Sequence, residues 1–217
     1  MKNIDELQTD WIKLVSKISD DEDQIRDTFD RIVQFYNSEG RYYHNLSHIG
    51  YMLTEAGKLS TILNDYDSFQ YAIWFHDVIY DTKRSDNEEK SSEFSEKFLK
   101  NINYDVEKNK KVKNLILKTK NHSHIDLNED YDTQVFLDLD LLILGANNEL
   151  YRKYAENVRK EYSFVPDKIY AEERIKILEV FLNQGCIFKT ERFRKQFEQR
   201  ARKNIQSEIN TLEHLEI

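Results

Sequence analysis

"TQVFLDLDLLIL", residues 133–144, decides the fold. Taken alone, such a short apolar run suits a buried strand or a buried helix equally. Its surroundings favour the helix. Only five glycines and one proline occur in 217 residues, which leaves few turns and long uninterrupted elements. Helical periodicity can be read almost end to end. A first helix is expected over about 4–18, with Ile4, Leu7, Trp11, Leu14, Val15 and Ile18 on one stripe. A second covers about 21–37 through Ile25, Phe29, Ile32, Val33 and Tyr36. A third, with Asn45 as N-cap, repeats Ile49, Met52, Leu53, Ala56, Leu59 and Leu63.

A fourth helix, about 68–80, is apolar around its whole circumference, so neighbours must cover it on all sides. "SDNE" at 85–88 has the capping-box pattern, which gives Glu88 a structural role and opens a fifth helix to about 100. Further helices are expected near 105–120, 133–144, 147–162, 167–184 and 190–212. The expected fold is all-α, a single-domain helical bundle over 1–217, with a core of about 41–145 and C-terminal helices of about 147–212 packed on it.

The net charge of −8 opposes a phosphate backbone, which argues against a nucleic-acid polymer as partner. A local basic pocket for a small anion remains compatible with it. The single Cys186 excludes an internal disulfide framework and fits a reducing compartment. The N-terminal segment "MKNIDELQTDWIKLV" is too polar for a signal peptide, and no apolar run approaches about 20 residues. These features predict a cytoplasmic protein with no membrane partner.

The residues able to carry chemistry cluster. Five of six histidines lie between 44 and 124, and His44, His48, His76 and His122 sit beside apolar faces or at helix ends. His44 and His48 are four apart, which brings their side chains together if the helix reaches back that far. Asp77 follows His76 inside the most apolar helix, where an isolated carboxylate must be paired or metal-bound. No Arg or Lys lies within a helical turn of it, leaving a divalent cation or an ion pair with a distant arginine. Imidazole with carboxylate suits Mn, Fe, Zn or Co, and a sulfur-free set is usual where a metal activates water. Asp138 and Asp140 pose the same burial problem. About 200° of helical rotation separates them, and periodicity does not choose which one faces a site. Leu115, Lys118 and His122 follow i, i+3, i+7 spacing, which offers a cationic face for phosphate. Equally, Lys118 can extend to water as one of six lysines in 108–120.

The pattern His48…His76-Asp77…Asp140 resembles the HD superfamily of metal-dependent phosphohydrolases, all-helical domains in which these residue types bind a divalent metal. "YHNLSHIGYML" resembles the Tyr-His-Asn-x-x-His stretch of cyclic-nucleotide phosphodiesterases, which implies that His44 is a general acid and His48 a ligand. "LDLDLLILG" resembles their Ala-Asp-Leu-Ser segment and aligns Asp140, not Asp138, with the last ligand. No further His follows His-Asp at that family's spacing, and its purine-clamping Gln and Phe have no counterpart. "FHDVIYDT" resembles the His-Asp-x-x-Glu-Asp-Thr stretch of alarmone hydrolases, but Tyr80 stands in place of the Glu and only Asp81 remains. Over nearly the whole chain the nearest resemblance is to a bacterial group of uncharacterised HD proteins. Its recurring stretches look like "YHNLSHI", "WFHDVIYD", "DNEEKS", "LDLDLLILG" and "VRKEY".

The resemblance implies hydrolysis of a phosphate ester of a nucleotide or similar small molecule. The metal ligands would be His48, His76, Asp77 and Asp140, with the ion drawn from Mn, Fe, Co, Ni, Zn or Mg and a transition metal favoured. His44 would act as acid, Asp77 or Asp81 would take the proton of water, and Lys118 and His122 would bind phosphate. His122 alternatively ligates a second metal. A homo-oligomer is compatible with the sequence. Rival expectations are a metal-containing ligand-sensing or interaction module without turnover, an HD-type diiron oxygenase, and a plain helical scaffold.

Overall fold

The computed structural model describes residues 2–122 and 129–214. Among them, regular secondary structure consists of ten α-helices and two short 3-10 segments, with no strand. The chain gathers into two compact units, Met1–Lys120 and Asn121–Ile217. No helix among the described residues is long and apolar enough to cross a membrane.

The first unit holds α1 (Ile4–Val15), α2 (Glu22–Tyr36), α3 (Leu46–Gly57), α4 (Tyr66–Phe75), α5 (Asn87–Asn101) and α6 (Val106–Lys118). Helix α4 is central, as its apolar circumference requires: Tyr71, Ala72, Ile73, Trp74 and Phe75 are fully buried. It packs against α3, α5 and α6. Trp11 of α1 meets Tyr71, Trp74 and Phe75 edge-on with ring centroids 6.3, 5.5 and 5.8 Å apart, the arrangement their quadrupoles favour. Its indole Nε1 donates to the Ile25 carbonyl at 2.9 Å, so one side chain ties α1 to α2 as well as to the core. Truncating any one of these aromatics to Ala is expected to cost about 3–5 kcal/mol. The first stripe is narrower than its periodicity suggests. Leu7, Trp11, Leu14 and Val15 are buried, whereas Ile4 and Ile18 stand exposed at either end.

Two local expectations are corrected. The capping box falls at the start of α1, where Asn3 accepts from the Glu6 N–H at 2.9 Å and Glu6 accepts from the Asn3 N–H at 2.8 Å. At "SDNE", α5 instead starts after Asp86, whose carboxylate is drawn to the Arg84 guanidinium at 2.7 and 2.8 Å and makes no cap bond. Glu88 sits in the first turn of α5, where its charge favours the helix dipole. Secondly, α4 ends at Phe75 rather than near residue 80. The main chain beyond it bonds elsewhere: Arg41 takes the carbonyls of Asp77 and Val78, and the Ser91 hydroxyl bonds both the N–H and the carbonyl of Ile79.

The second unit holds α7 (Tyr131–Asp140), a 3-10 segment (Leu141–Gly145), α8 (Asn148–Glu161), α9 (Asp167–Asn183) and α10 (Glu191–Glu213). The deciding run at 133–144 is helical. Asp130 caps it, accepting from the Thr133 N–H at 3.1 Å, and the coil tightens to 3-10 after Asp140. This 3-10 segment packs closely on α10. A Cβ added to Gly145 would lie 2.7 Å from Phe197 Cβ, and Asn204 donates to the carbonyls of Leu144 and Ala146 at 2.8 and 2.9 Å. Arg174 of α9 and Glu208 of α10 form a buried ion pair at 2.8 Å, and Glu208 also accepts from the Tyr151 hydroxyl of α8 at 2.5 Å. One carboxylate thereby joins three helices.

Candidate metal centre

His48 lies in the first turn of α3, which Asn45 caps by accepting from the Ser47 N–H at 2.9 Å. His76 is the residue that closes α4, and Asp77 follows it into the turn. Two helix ends thus deliver three side chains to one place. The carboxyl end of a helix carries partial negative charge, which favours a cation beside His76.

His76 Nδ1 stands 3.0 Å from the Ile73 carbonyl. A carbonyl only accepts, so Nδ1 carries a proton, and in the neutral ring that binds a metal Nε2 presents a lone pair. That Nε2 faces His48 Nε2 at 3.3 Å and Asp77 Oδ2 at 3.1 Å, and the third side, His48 Nε2 to Asp77 Oδ2, is 4.0 Å. A lone pair beside a carboxylate oxygen is repulsive, and either a ring proton or a metal ion between them removes the repulsion. Atoms at these separations share a common point about 2.1 Å from all three, the bond length of first-row divalent ions to imidazole nitrogen and carboxylate oxygen. Residues, tautomer and spacing therefore fit a divalent metal, and His48, His76 and Asp77 form a group able to hold one. The His48 and His76 side chains are 3% and 1% exposed against 20% for Asp77, so solvent reaches the group from the carboxylate's side. Asp77 is half-buried and lies beyond the end of α4, which corrects the expectation that it sits inside that apolar helix.

His44 precedes α3 and does not share its helical face with His48. Their ring centroids are 6.4 Å apart, and His44 instead stacks on Tyr80 at 4.2 Å with 27° between planes. Asp81 is exposed: its Oδ1 accepts from the Lys83 N–H at 2.9 Å, and Asn87 brackets its main chain at 3.0 and 2.9 Å. Lys118 is the exposed last residue of α6. A 3-10 turn over Thr119–Asn121 follows it, so no single α-helical face runs from Leu115 to His122.

In the second unit, the two aspartates of "LDLDLL" part company as their rotation requires. Asp138 is fully buried and accepts from the N–H groups of Lys189 and Thr190 at 2.5 and 2.8 Å and from the Thr190 hydroxyl at 2.7 Å. It anchors the start of α10. Burial pushes its carboxyl up to about 6, against the pull of those donors. Asp140 instead pairs with His122 Nε2 at 2.9 Å, and the buried His122 Nδ1 has no hydrogen-bond partner among the described residues. His124 lies outside the described residues.

Arg41 escaped the sequence reading. Its guanidinium donates to the carbonyls of His44, Asp77 and Val78 at 3.1, 2.7 and 2.9 Å and lies 5.0 and 5.4 Å from the rings of Tyr36 and Tyr80. Thirty-six residues separate it from Asp77, and no local pattern signals such a reach. No family model matches the chain, and none of the curated proteins or solved structures compared with it matches either.

Proposed function

We propose that this protein is a metal-dependent phosphohydrolase acting on a phosphate ester of a nucleotide or similar small molecule. The observation that carries the reading is the convergence of His48 Nε2, His76 Nε2 and Asp77 Oδ2 on one point. Two imidazoles and one carboxylate without sulfur are the donors of sites that act on water rather than of closed structural sites. The family resemblance adds Asp140 as a further ligand, an assignment that rests on the sequence pattern alone.

A divalent ion held there would lower the pKa of a bound water and draw charge from a phosphoryl group. The chain's own residues supply the rest. The Ile73 carbonyl holds a proton on His76 Nδ1, so the neutral ring directs its Nε2 lone pair inward. Asp77, the most accessible of the three, takes up the proton of the attacking water. His44 gives a proton to the leaving oxygen, and its stacking on Tyr80 restricts the ring to a narrow range of orientations. Asp81, exposed and with one oxygen committed to its own turn, is the alternative proton acceptor.

The test is metal analysis of the purified chain, followed by a screen of phosphomonoesters, phosphodiesters and nucleotides with Mn, Fe, Co, Ni, Zn and Mg supplied singly. Metal uptake with release of phosphate or of a phosphorylated product is expected. A chain that takes up none of these ions and cleaves none of these esters would refute the proposal.

A further inference from the structure

We infer that Arg41 is a positioning residue of the metal centre: one guanidinium sets both the turn that presents Asp77 and the segment that presents His44. The inference rests on the metal-centre reading and goes beyond it, because Arg41 offers no ligand atom. Its Nη1 bridges the carbonyls of Asp77 and His44 at 2.7 and 3.1 Å, and Nη2 takes the carbonyl of Val78 at 2.9 Å.

These carbonyls come from two segments that no regular ladder joins. The first, 41–45, leads into α3; the second, 77–80, leaves α4 after its closing residue His76. Carbonyls just past a helix end have no partner within the helix and must find one elsewhere. A planar fork with several donors satisfies three of them at fixed angles, which the single rotating ammonium of lysine does not. The guanidinium is itself held, lying 5.0 Å from the Tyr36 ring and 5.4 Å from the Tyr80 ring. Tyr36 is fully buried, and its hydroxyl donates to the Trp74 carbonyl at 3.1 Å, so this side of the clamp is fixed to the core. Tyr80 in turn stacks on His44. A shift of Arg41 would therefore displace the Asp77 main chain and the His44 ring together, while His48 and His76 keep their places on α3 and α4.

Mn2+ affinity of the full chain provides the test, with the visible absorption of the Co2+-loaded protein as a report on ligand geometry. Arg41→Ala and Arg41→Lys are compared with the native chain and with Leu14→Ala, a core truncation in α1. Loss of a group that orients a ligand typically lowers metal affinity about 10- to 100-fold. That loss is expected in both Arg41 variants at unchanged helical content, with an altered Co2+ spectrum. Added methylguanidinium should restore part of it in Arg41→Ala. Leu14→Ala should melt earlier and bind Mn2+ as the native chain does, which separates positioning from general stability. Arg41→Lys keeps the charge and stem, so it decides the matter should Arg41→Ala not fold. Folded Arg41 variants with native Mn2+ affinity and Co2+ spectrum would overturn the inference and leave the metal centre standing. A native chain that binds neither ion would overturn the metal-centre reading itself.

Discussion

His48 and His76, 28 residues apart in sequence, face each other through their Nε2 atoms at 3.3 Å. The Ile73 carbonyl fixes the proton of His76 on the opposite ring nitrogen. Two rings so placed can share a proton or share a metal ion. Asp77 Oδ2, 3.1 Å from the same His76 nitrogen, favours positive charge at that place, and metal binding distinguishes the two.

A ligand that binds only the folded chain stabilises it, by about 2.7 kcal/mol at a free concentration of one hundred times its Kd. Saturating Mn2+ or Co2+ should raise the melting temperature of the native chain, and a chelator should reverse the rise. In His76→Ala the metal-induced rise should disappear, as seen by differential scanning calorimetry with and without metal. An equal rise in His76→Ala would place the ion elsewhere.

His44 contributes no atom to the three-residue group, so His44→Ala should retain Mn2+ affinity while losing turnover. General acids contribute about 10^2- to 10^4-fold. A loss of kcat in that range at unchanged Mn2+ affinity is the expected pattern. Near-native kcat on a substrate with a poor leaving group would remove His44 from the mechanism.

Asp138 makes stability depend on pH. Its folded pKa, about 6, lies above the unfolded value of 3.8, so between those values the folded chain binds more protons than the unfolded one. Its contribution to stability is then greatest below about pH 4, falls as pH rises through about 6 and levels off above. The drop is roughly 3 kcal/mol at about 1.36 kcal/mol per pKa unit. Asp138→Asn should flatten this part of the profile in urea titrations from pH 4 to 7. It should also lower stability above about pH 6, where the ionised carboxylate accepts all three donors at the start of α10 and an amide does not. An unaltered slope in Asp138→Asn would assign the pH dependence to other groups.

Gly145→Ala should destabilise the chain although alanine favours helix. Its Cβ would meet Phe197 Cβ at 2.7 Å, an atom next to the main chain of α10 that cannot swing aside. Overpacking of this kind costs about 1–3 kcal/mol. Phe197→Gly, which removes that Cβ, should cost less in the Gly145→Ala background than in the native chain, a coupling that a double-mutant cycle in urea would measure.

The helices were legible because each is written in a local period: Leu7, Trp11 and Leu14 recur on one face of α1 whatever the rest of the chain does. The all-round apolarity of residues 71–75 likewise foretold a central helix. Residue type pointed to a cluster of histidines and aspartates, since such groups are rarely placed beside a core without partners, whereas the choice of His48, His76 and Asp77 from that cluster came from the resemblance in sequence pattern. Tertiary structure decided what depends on distant partners. Arg41, far back in the chain, takes the carbonyls just beyond α4 and helps end it at Phe75. The main chain of Lys189 and Thr190, about fifty residues on, gives Asp138 its structural role, while His122 claims Asp140. Helical rotation places two aspartates on different faces, but only the donors that arrive there determine what each one does.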